Sequence, residues 1–351
     1  MRLYNSNTWK EDLDLEISQL EELKELNNKS ILITGGTGLI CSAVVDLLIR
    51  YNEKYGGSIN IILAGRSFEK VKDRFLQYVE KDYFRFEQFD ASEDNRSISI
   101  KCDYIIHGAS NASPNKIVKE PVETMMSNFS GIKRLLESAK ENETARVLYV
   151  SSSEVYGKKD GNNPYHEDEY GYIDLLNSRN SYSVAKRAAE TLCVSYADEY
   201  GADTVIVRPG HIYGPTAMAS DNRVSSVWPY SVVNGEDIIM KSDGSQIRSY
   251  CYCLDCASAI LKILLLGEKN HAYNVSNPNS IVSIKEMAQI LANAAGVKVR
   301  MEIPTEEERK GFNPMRNSSL DSSSLIKLGW KGLFDAPKGF AHTVRIIKES
   351  E

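Results

Sequence analysis

The chain has 351 residues, of which 26% are charged, and a formal net charge of −6. That length can bury a large core in two lobes, and the balanced charge argues against nucleic acid as a partner. No apolar run approaches the roughly 18 residues of a membrane span, and Met1-Arg2-Leu3-Tyr4-Asn5 holds no apolar signal core; a cytoplasmic location is the default expectation.

Residues 1–29 form a polar, helix-prone arm with leucines at 13, 15, 20, 23 and 26. It either packs on a neighbouring subunit through Trp9 and those leucines or covers its own domain. Ser30 to Thr34 is a short apolar β-type run. Gly35-Gly36-Thr37-Gly38-Leu39-Ile40-Cys41 follows, then an apolar helical stretch through Ile49. A strand, a Gly-rich turn and a helix are the context of a dinucleotide-binding loop. Gly35 and Gly38 let the backbone turn tightly against a pyrophosphate, and the helix N-terminus offers free N–H groups and a positive dipole end. Cys41 stands where a third glycine is usual.

Asn60 to Ser67 reads as the second strand. An acidic residue that would bind the adenosine ribose hydroxyls is absent, and Arg66 stands near that place. A guanidinium there points to the 2′-phosphate of NADP; equally, Arg66 stacks on adenine or faces solvent. Asp90 follows the apolar-aromatic run Phe84 to Phe89, at a place suited to contacting adenine. Asp103 to Ser110 is a further buried strand ending in small residues, which let a cofactor lie across the strand ends at Ala109. His107 reads as a structural hydrogen-bonding residue rather than a base.

Ser151-Ser152-Ser153-Glu154-Val155-Tyr156-Gly157 precedes Tyr182-Ser183-Val184-Ala185-Lys186 by about thirty residues. Tyr182 and Lys186, at i and i+4, share one helix face. A nearby ammonium favours the phenolate, so Tyr182 is a candidate base, and Ser152 a candidate partner for the same substrate hydroxyl. Alone, the spacing is a weak signal and reads as a helix with an amphipathic Tyr and a solvated Lys. The six cysteines include Cys251, Cys253 and Cys256, but no second ligand pair accompanies that C-x-x-C, so packing rather than a metal site is expected. The scattered Cys41, Cys102 and Cys193 suit a reduced protein. Ser283 to Ala295 reads as an amphipathic helix.

These motifs together resemble the extended short-chain dehydrogenase/reductase family that modifies nucleotide sugars. The resemblance runs from about Ser30 to about Ala341. It is carried by T-G-G-T-G-L-I (Thr34 to Ile40), H-G-A-S (His107 to Ser110), S-S-S-E-V-Y-G (Ser151 to Gly157) and Y-S-V-A-K (Tyr182 to Lys186). R-P-G-H-I-Y-G-P (Arg208 to Pro215) and G-S-Q-I-R-S-Y (Gly244 to Tyr250) complete it. It implies an α/β fold: a Rossmann-type doubly wound parallel sheet over 30–210, and a smaller C-terminal α/β substrate lobe over 211–351, with 245–265 returning to the first domain.

The resemblance also implies bound NAD(P), a nucleoside diphosphate sugar as substrate, a homodimer and transient oxidation at sugar C4. Gly35, Thr37, Gly38, Leu39, Ile40, Arg66, Asp90, Ala109, Tyr182, Lys186, Pro209 and His211 would hold the cofactor, the last two on the nicotinamide side. Ser152, Ser153, Glu154, Tyr182 and Lys186 would form the catalytic set. Ser110, Ser113, Arg223, Arg248 and Arg316 would hold the substrate, guanidinium being suited to bidentate phosphate contacts.

Within the family several stretches look most like the UDP-glucuronate decarboxylase group. Ala109 to Pro114 is similar to its A-S-P-A-S-P loop, Ser152-Ser153-Glu154 to its T-S-E, Asp221 to Val224 to its D-G-R-V, and Gly244 to Arg248 to its G-S-Q-T-R. Asn115-Lys116-Ile117 replaces an aromatic of that group, Ser183-Val184-Ala185 an acidic pair, and the acid for the NAD ribose is missing. A nucleotide-sugar 4,6-dehydratase and a 4-epimerase are the alternatives among enzymes. The dTDP-glucose dehydratase pattern needs Asp where Ser153 stands. The alternative from another class is a cofactor-binding sensor or scaffold, which has no need of Ser152, Tyr182 and Lys186 together.

Overall fold

Short, fully apolar strands separated by helices can be buried only inside a parallel sheet covered on both faces. The computed structural model describes residues 3–93, 100–218, 221–306 and 316–351 and has this arrangement. The strands are β1 (Ser30–Thr34), β2 (Asn60–Gly65), β3 (Phe84–Gln88), β4 (Tyr104–His107), β5 (Arg146–Val150) and β6 (Thr204–Pro209). A seventh, Ala272–Val275, pairs in parallel with β6 although it lies outside the segment 30–210. The sheet order is β3-β2-β1-β4-β5-β6 and then Ala272–Val275, all parallel. The order reverses between β1 and β4, and Thr34 pairs with both Ala64 and His107. The three loops that follow therefore start level at the carboxyl edge, at a topological switch point where such sheets bind ligands.

Helices α1 (Asn7–Ile17), α2 (Leu39–Tyr55), α3 (Phe68–Phe75), α4 (Pro114–Lys119), α5 (Pro121–Glu141) and α6 (Ser181–Tyr200) precede β6 in the chain. Beyond it the chain forms a smaller sheet centred on Ile247–Tyr252. That strand pairs with His211–Tyr213 and Asn317–Ser318 in parallel and with Ile281–Ser283 antiparallel. The segment 245–265 is thus shared: its strand belongs to the smaller sheet, while the following helix Cys253–Leu266 packs on α2 and β6. The helix Ile284–Ala295 is closed at Ser283 by a capping box with Glu286. Cys251, Cys253 and Cys256 are fully buried in the main core. Among the described residues no helix is long and apolar enough to cross a membrane.

The N-terminal arm covers its own chain. Trp9, Leu13, Leu20, Leu23 and Leu26 join the main core, while Leu15 stays exposed. Helix α1 lies against α2, the helix Cys253–Leu266 and the C-terminal helix Ala336–Ser350. Polar contacts fix it: Ser6 and Thr8 donate to Glu349 (2.5 and 2.9 Å), the Tyr252 hydroxyl donates to Asp12 (3.0 Å), and Arg50 grips Asp14 with two bonds of 2.8 Å.

One arm contact holds a proton. Glu16 and Asp255 are both fully buried and hydrogen-bonded to each other, and burial raises the pKa of each. Asp255 already accepts from the backbone N–H groups of Leu333 (2.7 Å) and Phe334 (3.2 Å) and from Asn277 (3.1 Å), so Glu16 carries the proton. The folded state keeps this proton above the pH at which an unfolded carboxyl releases it. Its stabilisation is therefore complete below the ordinary carboxylate range and is lost as pH rises through the raised folded value, by at most about 1.4 kcal/mol per pH unit. Glu16→Gln keeps a donor to Asp255 and has no proton to lose. Denaturant midpoints should fall less for this variant than for the parent between mildly acidic and mildly alkaline pH; parallel declines would show that the pair holds no proton.

Candidate active site

At the switch point the loops enclose a cleft of about 700 Å³, lined by Gly35 to Gly38, Ala64 to Ser67, Phe89 to Ser92 and Gly108 to Asn111. Gly35 has a left-handed backbone (φ +71°), and a Cβ there would lie 2.8 Å from the Gly108 carbonyl and the Ala109 nitrogen. A Cβ on Gly36 would strike the Leu63 side chain at 2.7 Å. Gly38 is the N-cap of α2, whose first N–H groups open toward the cleft edge. A bare backbone cradle at a helix N-terminus, continuous with an elongated cleft, fits the pyrophosphate and adenosine of a dinucleotide. Cys41, at the third-glycine position, is buried, and a Cβ on Gly108 would lie 2.3 Å from its sulfur.

The catalytic candidates meet where β5 and α6 deliver them. Tyr182 is buried, with the hydroxyls of Ser152 and Ser110 against its phenol. Ser110 donates to Asn128 Oδ1 (2.8 Å), and Asn128 is fixed in turn by donating to the Thr124 carbonyl (2.8 Å). Ser152 accepts the Glu154 N–H (3.2 Å). The Ser110 proton is thus committed to Asn128, and Ser152 is left as the donor to a developing phenolate. Glu154 accepts from Ser183 Oγ (3.1 Å), the residue next to Tyr182. Ser153 is half-buried in the short 3₁₀ turn between them.

The expected lowering of the phenol pKa by Lys186 does not occur in the protein alone. Burial, then the charge of Glu154, push Tyr182 up to about 12, against the favourable contacts of Ser152, Ser110 and Arg223. Lys186 is itself buried, and burial lowers it to about 7. Its ammonium donates to the Val150 carbonyl (2.8 Å) and lies 5.7 Å from the Tyr182 ring centroid. Shared helix face gave adjacency, while desolvation set both charge states. His107 is structural: Thr34 Oγ1 meets its Nδ1 at 2.7 Å and accepts from Ala109 N–H (3.1 Å), and burial drives the imidazole down to about 3.

On the second-lobe side, Arg248 is buried and donates to the Ile247 carbonyl (2.9 Å), with no carboxylate partner among the described residues. Arg223 pairs with Asp221 and also acts on the Tyr182 phenol. His211 is driven down to about 3 by burial and then by Arg248 and Arg223, and meets Ser318 Oγ at 3.1 Å. A buried, unpaired guanidinium next to a second arginine suits an anionic substrate group.

Comparison with known proteins gives this arrangement a lineage. The NAD dependent epimerase/dehydratase family profile matches residues 31–276. The chain belongs to that family. It is 30% identical over 305 residues to UDP-glucuronic acid decarboxylase 6 of Arabidopsis thaliana, covering 87% of this chain and 84% of that protein. It is 27% identical to UDP-glucuronic acid decarboxylase 1 of Danio rerio, covering 95% of this chain and 77% of that one. The fold matches UDP-glucose 4-epimerase of Thermotoga maritima crystallised with UDP-glucose (TM-score 0.77, 22% identity, 91% and 99% of the two chains). It also matches dTDP-glucose 4,6-dehydratase of Bacillus anthracis in complex with NAD (TM-score 0.75, 18% identity, 92% and 97%).

The family expectations are distributed unevenly over the structure. Gly35, Thr37, Gly38, Arg66, Asp90, Ala109 and Ser110 line the cleft. Leu39, Ile40, Pro209, His211 and Ser113 are not among its lining residues. Leu39 offers its carbonyl to Thr216 Oγ1 (2.7 Å), and Ser113 caps α4, whose Lys116 reaches the cleft instead. Arg316 is exposed and acts on Asp243, while its carbonyl accepts the Ile247 N–H (2.8 Å). Sequence reasoning missed Asn128, Ser183, Ser67, Lys70 and Lys116. Ser183 had a signal, since i+1 from the tyrosine in a helix still borders a group reached through the preceding turn; Asn128 had none.

The buried cation has a stability cost. Lys186 has a folded pKa far below its ordinary value, so between about 7 and the free-lysine range the unfolded chain binds the extra proton, and stability rises with pH there. Below about 7 the desolvated charge is carried in full. Lys186→Met should abolish turnover yet unfold at higher denaturant than the parent at or below neutral pH. Lower stability would show that the bond to Val150 outweighs desolvation.

Proposed function

We propose that the protein decarboxylates a nucleoside diphosphate hexuronate, UDP-glucuronate in the first instance, after oxidation at C4. The observation that carries this reading is the acid inventory around Tyr182. Among the described residues one carboxylate, Glu154, borders the phenol, and the neighbouring position is the hydroxyl of Ser153. Loss of a C6 hydroxyl needs a general acid, and a serine is a poor one. Loss of CO₂ needs none, because a C4 ketone takes up the electron pair of the C5–C6 bond. Arg223 and Arg248 supply the positive field that an anionic substrate requires.

A bound nicotinamide would accept the C4 hydride, return it at the end, and bring a positive charge beside the phenol. Gly35 to Gly38, Arg66, Asp90 and Ala109 would hold the dinucleotide. The protein's own groups do the proton work. Tyr182 removes the C4 hydroxyl proton, Ser152 donates to the phenolate, Asn128 holds Ser110, and Lys186 stands behind the phenol on the Val150 carbonyl. Glu154, kept in place by Ser183, handles the proton at C5.

All six cysteines are unpaired and buried, as suits a reducing cytoplasm. A second copy of the chain is the proposed partner of α5, where Val122, Met125, Met126 and Phe129 form an exposed stripe at i, i+3, i+4 and i+7. Met126→Glu with Phe129→Glu should convert a dimer to monomer in light scattering; an unchanged mass would remove this face from the interface.

Incubation with UDP-glucuronate should release CO₂ and give a UDP-pentose by mass spectrometry. Tyr182→Phe should lose this turnover while binding cofactor nearly as the parent does. Ser153→Asp should impair it, since a second carboxylate beside Glu154 repels the substrate carboxylate. A product lacking the elements of water, formed from a neutral hexose nucleotide with no CO₂ from UDP-glucuronate, would replace this reading with the 4,6-dehydratase.

A further inference from the structure

Helix α6 presents two neighbouring faces to the site. Tyr182 and Lys186 share one. Ser183 and Arg187, each one residue further on, share the next, at i and i+4. Ser183 Oγ donates to the Glu154 carboxylate (3.1 Å). Arg187 reaches the main chain that follows: its Nε donates to the Val155 carbonyl (2.6 Å), and its Nη2 to the carbonyls of Tyr156 (3.1 Å) and Gly171 (2.9 Å). Its bonds go to main-chain carbonyls and, among the described residues, to no carboxylate. Those carbonyls need a donor. Ser153–Tyr156 is a single 3₁₀ turn, and the last carbonyls of so short a helix have no partner inside it. Beyond the turn Gly157 has a left-handed backbone (φ +68°), and a Cβ there would lie 2.6 Å from the Tyr172 carbonyl oxygen. The returning chain meets the turn at Gly171, whose N–H donates to the Tyr156 carbonyl (2.7 Å).

Glu154 is thus fixed at its N–H by Ser152 (3.2 Å), at its carboxylate by Ser183, and through the carbonyls that follow it by the planar fork of Arg187. We propose that Arg187 is a positioning residue for the proton step at C5: it locks the turn carrying Glu154 to the helix carrying Tyr182, so that the C4 and C5 protons are handled at a fixed separation. This rests on the proposed oxidation at C4 and adds the device that aligns its second half. In that sequence the C4 hydroxyl proton passes to Tyr182 and hydride to the nicotinamide. The C5–C6 bond then breaks, its electron pair enters the C4 ketone, and CO₂ leaves. Glu154 supplies the proton that C5 takes, and the hydride and the Tyr182 proton return to C4. Arg187 acts through Glu154 rather than on the reacting atoms. Its loss leaves Tyr182, Lys186 and the oxidation at C4 in place and removes Glu154 from its station.

The test compares the full-length, cofactor-loaded protein with Arg187→Ala, Arg187→Lys and Glu154→Gln, each given UDP-glucuronate. Arg187→Ala should lower kcat about tenfold to a hundredfold, the cost of a small displacement of a reacting group, with KM nearly unchanged. Reduced nicotinamide, read by its near-ultraviolet absorbance during turnover, should build up in this variant and stay low in the parent, because C4 is still oxidised while C5 waits for its proton. Arg187→Lys, with one ammonium in place of a fork, should show the same signs more weakly, and it decides the matter if Arg187→Ala does not fold. In the Glu154→Gln background Arg187→Ala should have little further effect, as for two residues acting on one step. A raised KM without reduced nicotinamide, or a full additional loss on top of Glu154→Gln, overturns the positioning role. A second readout needs no substrate: amide hydrogen exchange over 153–157 should quicken in Arg187→Ala while β5 exchanges as in the parent, and unchanged exchange also overturns it. Release of water from a neutral hexose nucleotide, with no CO₂ from UDP-glucuronate, retires the decarboxylase alone. Glu154 then takes the C5 proton instead of giving it, and Arg187 is upheld or overturned by the same absorbance with that substrate.

Discussion

Lys186 is buried with its ammonium on one backbone carbonyl and, among the described residues, no carboxylate in ion-pair contact, and the site is arranged around that constraint. A desolvated ammonium falls toward neutrality, and a desolvated phenol beside it rises away from ionisation. The free protein therefore holds Tyr182 as a neutral phenol and leaves Lys186 titrating near neutral pH, short of the phenolate and full ammonium that proton abstraction needs. Everything that favours the phenolate must come from aimed groups. Ser152 donates; Ser110, anchored through Asn128 to Thr124, packs the other side; Arg223 adds a field from the second lobe. A cation bound beside the phenol is the remaining contribution, which couples deprotonation to cofactor occupancy.

The scaffold makes this burial affordable by rigidity. Val150 ends β5, and its carbonyl is fixed by the sheet, so the lysine has one place to donate. One turn along α6, Glu190 is held by Arg208 through two bonds of 3.0 and 2.7 Å, and Arg208 also reaches Tyr156 and Tyr170. This clamp ties α6 to β6 and to the turn carrying Glu154. The arm adds a second brace at the opposite side of the molecule, joining α1 to both the helix Cys253–Leu266 and the C-terminal helix. Stability gathered there offsets a buried lysine that costs stability.

Local patterns were legible where chemistry and spacing coincide. The run Ser30 to Thr34, the Gly-rich turn and α2 read directly, because a parallel strand buried on both faces is apolar throughout and a phosphate cradle needs bare backbone. Tyr182 and Lys186 were placed on one face by period alone. Their charge states were not, since adjacency follows from sequence and desolvation from packing. Asn128 lies on a helix that no motif connects to Ser110, and its role comes from tertiary contact. The arm left two partners open, and its own core took it, with Trp9 fully buried. Ala272–Val275 extends the main sheet by pairing with a strand sixty-odd residues earlier, a register no local signal encodes. Among the arginines, Arg248 is buried and Arg316 exposed, a difference that no motif encodes.

The central claim is that Tyr182 is a high-pKa phenol until a dinucleotide binds. It is tested most directly by ultraviolet difference titration of the protein against its Tyr182→Phe variant, with and without oxidised dinucleotide. The account predicts that the Tyr182 signal titrates near 12 in the free protein and moves toward neutrality when the dinucleotide is bound. A phenol already ionising near neutral pH without ligand would contradict it, and would return the activation to Lys186 alone.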